Sequence, residues 1–485
     1  MLKHLRQLAS ESLVYGLSGA ISRFLAILIV PITTRVLSPE EYGISSLVMT
    51  TLALCNILMV LGLDSAVFRW FWDTEDIAAR KSTFATWAWC QLLVGAFLAI
   101  TLVGGSGVLA QALIGNRRTA ILFLLAAAAL PLNGPGLILL SWLRCQRRVW
   151  ATVFYTVTYT SVNILLTLVF VVWLRMGNVG LMLAQVASAA VRTTIALALM
   201  RDWLHPRYFR VSLLRQMLSF SMPLVPAGVA LWTMSLADRY FLRYFGSTQE
   251  VGLYQVGASI AAFLALVVSA FTQAWGPFAL SIHKEEHSRD VYASVFLGYT
   301  WLACLGATGI TLLAPEALRI LTRPAYYSAA PVVGLLAIGW VMEGHYYLAS
   351  VGPTLMRQTR PVGIAVGLAA VITIILNILL IPRWGMLGAA TAYMGAYSAR
   401  AAYLYWRSQQ MYKIPYRFGA AVVIVAVAGF LMYAGSWIQG LGPVVQLLAK
   451  MALLLAFLPL PFLLRIVSFA QARRLMTPSL ATADR

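Results

Sequence analysis

RMGNVGLMLAQVASAAVR, residues 175–192, returns as RWGMLGAATAYMGAYSAR, residues 383–400. Arg175, Gly177, Gly180 and Arg192 meet Arg383, Gly385, Gly388 and Arg400 at a constant offset of 208. A second pair, RVLSPEEYG from Arg35 and RYFGSTQEVG from Arg243, keeps 208 at the arginine and 209 at the glycine, Gly43 against Gly252. QRRV at Gln146 likewise returns as QTRPV at Gln358. Internal repetition of this kind organises many transporter folds. It divides the chain into an N-terminal half, residues 1–210, a C-terminal half, 211–415, and a remainder, 416–485, outside the repeat.

Composition sets the solvent. The chain is 61% hydrophobic and 11% charged, with a mean hydropathy of +0.80. About 20 apolar residues cross a bilayer core, and breaks at charges, Pro and Gly mark off roughly fourteen such runs. They centre near 12–34, 43–63, 83–103, 119–141, 150–174, 177–200, 217–240, 252–278, 291–314, 328–350, 361–381, 385–405, 417–437 and 443–465. Continuous runs lack the alternation of a barrel, so the spans are helices. The expected fold is an all-α polytopic membrane protein with six helices in each half and a C-terminal helix pair. With a cytoplasmic N-terminus, 23 of the 36 Lys and Arg fall on the cytoplasmic side and nine opposite. That asymmetry follows the positive-inside rule and puts both termini in the cytoplasm. The net charge of +20 is therefore topological and implies no nucleic acid. MLKHLRQLASES and the run after it imitate a secretory signal. The run is too long and lacks an A-x-A-like site, so it reads as a retained first helix. Cys55, Cys90, Cys145 and Cys304 are scattered and form no C-x-x-C pair, implying neither a disulfide framework nor a metal site.

Six spans per half leave both halves the same way up, so the repeat is parallel and substrate is expected between the halves. The first helix ending PITTRVLSPEEYG, the stretch LIPRWGMLGAATAYMGAYSAR from Leu380 to Arg400 and the 6+6+2 arrangement resemble the polysaccharide-transport (Wzx-type) flippases of the multidrug/oligosaccharidyl-lipid/polysaccharide exporter superfamily. The resemblance covers essentially the whole chain. It implies two six-helix lobes that move undecaprenyl-pyrophosphate-linked oligosaccharides to the outer leaflet of a bacterial inner membrane by alternating access. It further implies no cofactor, a proton or sodium gradient as the driving force, and a polysaccharide polymerase and co-polymerase as partners.

Charges shared by both halves read as architecture, and charges that break the symmetry as candidates for function. Arg192 and Arg400 are shared, each about 9 residues, roughly 13 Å, from the cytoplasmic helix end, close enough to snorkel. Arg35 and Arg243 are shared at the outer helix ends, where a cation suits the helix C-terminus, and a substrate role is equally open. Arg23 has no counterpart, its place falling at Leu231 or Trp232. It lies about 16 Å into its helix, where an arginine costs about 2.5–3.5 kcal/mol on insertion scales. Ser12, Gly16, Gly19, Arg23 and Ala26 form a small, polar stripe that would face a cavity. There Arg23 could hold a pyrophosphate through bidentate hydrogen bonds.

Glu343, in WVMEGHYYLAS, is the other mid-span charge. Aligning Gln146 with Gln358 sets it against Pro131, and His345 against Asn133. A carboxylate with a histidine nearby suits a proton or cation site, and a Glu paired with a buried cation is the alternative. Tyr346 and Tyr347 could stack on sugars. Asp238 joins Glu343 as an ion-coupling candidate, and Arg239 joins Arg23, Arg35 and Arg243 as a substrate-binding one. HKEEH at residues 283–287 fits an H-x-x-E-H spacing but sits in a loop and reads as a solvated interfacial helix. No G-x-x-x-x-G-K-[ST] loop is present, against ATP-driven transport within the chain. A membrane polymerase or ligase would carry a large outer loop with carboxylates, and a drug/cation antiporter an acidic cavity. Lys450, about 24 Å from the inner end of the last span, reads as an outer-interface anchor.

Overall fold

In the computed structural model the described residues are Leu25, 29–438 and 442–464. The start of the second expected span shows how a helix begins in this chain. Ser38 Oγ accepts the Glu41 amide at 3.2 Å, Glu41 Oε2 accepts the Ser38 amide at 2.8 Å, and Pro39 takes the first helical position. This reciprocal cap satisfies donors that lipid would leave unpaired.

The first repeat runs through α1 (Ile29–Val36), α2 (Pro39–Val60), α3 (Leu63–Trp72), α4 (Ile77–Leu109), α5 (Ala120–Cys145), α6 (Val149–Thr167) and α7 (Gly177–Met200). Leu61 and Gly62, both at positive φ, separate α2 from α3. The second repeat comprises α8 (Val211–Ser221), α9 (Val225–Leu236), α10 (Asp238–Phe245), α11 (Thr248–Ser281), α12 (Ser288–Leu321), α13 (Ala330–Ala349), α14 (Val351–Leu355) and α15 (Arg360–Met411). After it come α16 (Phe418–Trp437), α17 (Pro443–Phe457) and α18 (Leu460–Leu463).

Eleven helices among the described residues are long and apolar enough to cross a membrane, and no strand occurs among those residues. The fourteen expected spans map onto them unevenly. The first lies mostly outside the described residues. The runs 361–381 and 385–405 both fall in the 52-residue α15, on either side of Gly385, whose φ of 52° and ψ of −129° break the helix. The last run corresponds to α17, of 15 residues, and α18.

Backbone geometry repeats where the letters do. Gly177 and Gly385 share a positive φ, 56° and 52°, a conformation open to glycine. Glu41 and Glu250, which precede Gly43 and Gly252 by two residues, each place a carboxylate against one of these turns. Arg147 and Arg357 both have φ 54°, preceded by Gln146 at −82°, 2° and Met356 at −82°, 3°. This corrects the register expected there: the offset is 210, not the 212 that matching Gln146 to Gln358 implies. Glu343 is thus the counterpart of Asn133, His345 of Pro135 and Tyr346 of Gly136.

Grouped by contact, the chain forms two compact units, Met1–Ser259 with Leu318–Val332 and Val366–Ala396, and Ile260–Ala317 with Val333–Ala365 and Tyr397–Arg485. This is a grouping by proximity, whereas 1–210, 211–415 and 416–485 is a division by sequence symmetry. In the first unit α5 packs on α4 and α7, and Phe84, Trp87, Trp142, Leu63 and Val67 belong to one buried cluster.

In the second unit the helices beyond the repeat are tied down by charge. Lys450 Nζ meets both carboxylate oxygens of Glu316 on α12 at 2.6 and 2.8 Å, and Trp301 Nε1 donates to the Phe457 carbonyl at 3.3 Å. Lys450 is 1% exposed, so the expected interface anchor is instead a buried ion pair. A carboxylate within reach satisfies the ammonium better than a stretched path to water does. Lys450→Met strands Glu316, whose side chain is 26% exposed. We expect a loss of about 2–3 kcal/mol, below the 3–5 of a fully buried pair because Glu316 keeps some solvent. Thermal unfolding in detergent measures it, and adding Glu316→Gln is expected to restore most of the loss. Truncation after Arg417 removes Lys450 and both helices and is expected to lower the folded yield.

Candidate functional site

The first span and its copy each end on an arginine, Arg35 and Arg243. Arg35 Nη2 donates to the Ile320 carbonyl at 3.2 Å. Arg243 donates through Nε to the Leu113 carbonyl at 2.9 Å and through Nη2 to that of Ile114 at 3.1 Å. Each arginine therefore caps the carbonyl end of a helix in the other sequence repeat, where the helix dipole favours a cation. Arg243 also lines a cavity of about 570 Å³ with Tyr240, Tyr244 and Phe245.

Asp238 and Arg239 begin α10 and neutralise each other. Arg239 Nη1 lies 2.6 Å from Asp238 Oδ1, Arg239 Nη2 donates to Gln255 Oε1 at 3.0 Å, and the Tyr254 hydroxyl donates to Asp238 Oδ2. Both residues are buried. Gln255 also accepts from Ser46, its own counterpart at offset 209, at 3.3 Å.

The corrected register makes a matched pair of the two mid-span arginines. Arg192, half-buried on α7, donates through Nη2 to Asn133 Oδ1 at 2.7 Å and lies 4.5 Å from the Tyr159 ring. Its stem lies over Gly136, where a Cβ would collide with it. Arg400, 1% exposed on α15, pairs through Nη2 with Glu343 Oε2 and lies 4.1 Å from the Tyr346 ring and 4.7 Å from that of Tyr397. Asn133 and Gly136 in one repeat thus stand where Glu343 and Tyr346 stand in the other. Arg400 does not snorkel: its reach ends on a carboxylate within its own unit. Arg192 ends on a neutral amide, and among the described residues no carboxylate pairs with it.

Glu343 and His345 do not form one site, because residues two apart on a helix do not face each other. His345 is buried, 3.0 Å from the Tyr405 hydroxyl and 3.4 Å from Thr300 Oγ1, with Phe296 and Tyr299 against its ring. It walls a mainly apolar cavity of about 860 Å³ shared with Tyr405, Trp406, Phe418, Val422 and Val425. Tyr346 is committed to Arg400, while Tyr347 is 40% exposed. Arg23 and its stripe lie outside the described residues. His283 and His287 lie in a turn region rather than on a helix, so the i, i+4 geometry does not arise, and His287 faces Asp290 at 3.9 Å in solvent. Sequence reasoning passed over Asn133 because the two-residue slip set it against His345, and placed Arg192 with the scaffold because its copy is also arginine.

Helix after apolar helix with charges buried in pairs defines a multi-pass membrane protein. Its fold is similar to two solved transporters. The lipid II flippase MurJ in an inward closed conformation superposes with a TM-score of 0.73 at 14% identity, over 94% of this chain and all of MurJ. An inward-facing multidrug resistance MATE family transporter of the MOP superfamily gives 0.65 at 16% identity, over 83% and 99%. Residues 8–283 match the polysaccharide biosynthesis protein family, and the chain belongs to it. Protein 1 of the Lsg locus of Haemophilus influenzae strain Rd is 24% identical over 281 residues, 57% of this chain and 67% of that protein.

Proposed function

We propose that the chain is a flippase that carries undecaprenyl-pyrophosphate-linked oligosaccharides from the cytoplasmic to the outer leaflet of a bacterial inner membrane. It would do so by ion-coupled alternating access, with both termini in the cytoplasm, and supply surface polysaccharide or exopolysaccharide assembly together with a polymerase and co-polymerase. The observation that carries the reading is the unequal pairing of the two arginines. Asp238, Glu316 and Glu343 each hold a cation, Arg239, Lys450 and Arg400. Arg192 holds neutral groups, the side-chain amide and backbone carbonyl of Asn133 and the Tyr159 ring. A cation left uncompensated beside low-dielectric surroundings attracts an anion, and guanidinium suits a pyrophosphate. A drug/cation antiporter would need the opposite at this place, a carboxylate for its cationic cargo in place of the amide that faces Arg192. Arg23 is proposed as a second anchor. The cavity of about 860 Å³ walled by α16 supports a path for the polyprenyl tail.

In this reading Arg192 binds the headgroup and Glu343 carries the coupling proton or sodium ion. Transport of a polyprenyl-pyrophosphate oligosaccharide into proteoliposomes tests it. Arg192→Ala is expected to reduce transport about tenfold to a hundredfold, the worth of one hydrogen bond to a charged group. Arg192→Lys, which keeps the charge and loses the fork, is expected to fall between. Unchanged transport in Arg192→Ala, or export of a cationic dye in place of the lipid, ends the reading.

A further inference from the structure

Three arginines remote from Arg192 in sequence converge on one cavity. About 440 Å³ in volume, it is lined by Arg80, Arg147 and Arg148 together with Trp72 and Trp203, at the face the positive-inside rule assigns to the cytoplasm. Arg80 is held in place by the chain itself. Its Nε donates to the carbonyls of Thr74 at 2.8 Å and Phe71 at 3.1 Å, and its guanidinium lies 4.5 Å from the Phe71 ring. Arg147 lies 5.4 Å from the Trp72 ring and Arg148 5.6 Å from that of Trp142. The turn that presents Arg147 and Arg148 is closed by two backbone bonds, Arg147 amide to Arg144 carbonyl and Arg148 amide to Leu143 carbonyl, both 2.9 Å. Such closure after a helix fixes where the side chains start.

Positive-inside bias explains why basic residues lie on this face. It does not explain why three of them share one cavity, backed by aromatic rings. Among the described residues none of the three is paired with a carboxylate. The sister turn keeps an arginine at Arg357 but puts Gln358 where Arg148 stands, so the pairing of two adjacent arginines is specific to this copy. The rim is apolar and faces outward: Trp72 is 52% and Ile77 63% exposed. Tryptophan at a helix end marks the headgroup level of a bilayer. Guanidinium forks bind phosphate oxygens bidentately, and basic pockets between spans at the cytoplasmic face suit phosphate-bearing headgroups.

We propose that this cavity binds the phosphate of an anionic lipid headgroup at the cytoplasmic interface, separately from Arg192. Bulk phospholipid and a polyprenyl pyrophosphate awaiting transport present the same chemistry, and the experiment distinguishes them. The full chain is placed in phosphatidylcholine nanodiscs with added phosphatidylglycerol, and retained lipid is counted by native mass spectrometry. Arg147→Gln with Arg148→Gln leaves Arg80 on α4 bound to the Phe71 and Thr74 carbonyls, so thermal unfolding is expected to stay unchanged while phosphatidylglycerol affinity falls about tenfold. A control with Arg117→Gln and Arg118→Gln, both exposed elsewhere, loses the same charge and is expected to bind as wild type. Undecaprenyl pyrophosphate that displaces phosphatidylglycerol from the wild type assigns the site to cargo lipid, and failure to displace assigns it to bulk lipid. Equal retention by wild type and the double variant, or an equal loss in the control, overturns the proposal.

Discussion

Gly43→Val is expected to leave little or no folded protein in the membrane. Gly43 on α2 and Gly252 on α11 face each other so closely that a Cβ on Gly43 would strike the Thr248 carbonyl and the Gly252 amide. A Cβ on Gly252 would strike the Pro39 carbonyl and the Gly43 amide. The obstacles are backbone atoms in capped helices, which cannot rotate aside as a side chain can. Small residues at such crossings let helices approach in lipid, where packing replaces the hydrophobic effect as the source of association. The expected cost exceeds about 4 kcal/mol, in the range reserved for a named structural fault. Fluorescence-detected size exclusion after membrane extraction reads the result. A monodisperse peak at wild-type yield would show that α2 and α11 can separate without loss. Gly429→Val, at a glycine with open space where its Cβ would be, serves as the tolerant comparison.

Glu343→Ala is expected to cost about 3–5 kcal/mol, since it leaves Arg400 charged and 1% exposed with no carboxylate. Adding Arg400→Met is expected to recover most of that loss, because removing both charges removes the desolvation penalty as well. Glu343→Gln behaves differently. It offers Arg400 an amide oxygen of the kind Asn133 offers Arg192 at 2.7 Å, so the fold is expected to survive. The titratable group is gone, however, so the dependence of transport on a proton or sodium gradient is expected to weaken. Urea unfolding in detergent and gradient-jump transport in proteoliposomes separate the two effects. A Gln variant with unaltered gradient dependence excludes Glu343 as the coupling group.

Much of this protein was legible in its letters. Hydropathy located the helices because lipid admits no unpaired backbone, and an apolar run long enough to span leaves few alternatives. The repeat was legible where glycine is required by geometry: Gly177 and Gly385 carry a positive φ, and Gly43 and Gly252 a backbone contact, so the same letter recurs at an almost constant offset. QRRV and QTRPV do not correspond letter for letter because the turn there is set by backbone dihedrals at Arg147 and Arg357, which no side-chain letter demands.

What the sequence by itself determined is the class of protein, the helices, their repetition and the presence of charge inside the spans. Which charge meets which was decided only by tertiary structure. Arg400 and Glu343 are 57 residues apart and Lys450 and Glu316 are 134 apart, and no local pattern couples them. A buried charge is satisfied by whatever the packing of other helices brings within a few ångströms, so its role depends on the partner. Arg192 and Arg400 are the same residue at the same place in the repeat. One faces an asparagine and the other a glutamate, so the partner and not the residue decides whether the charge is neutralised.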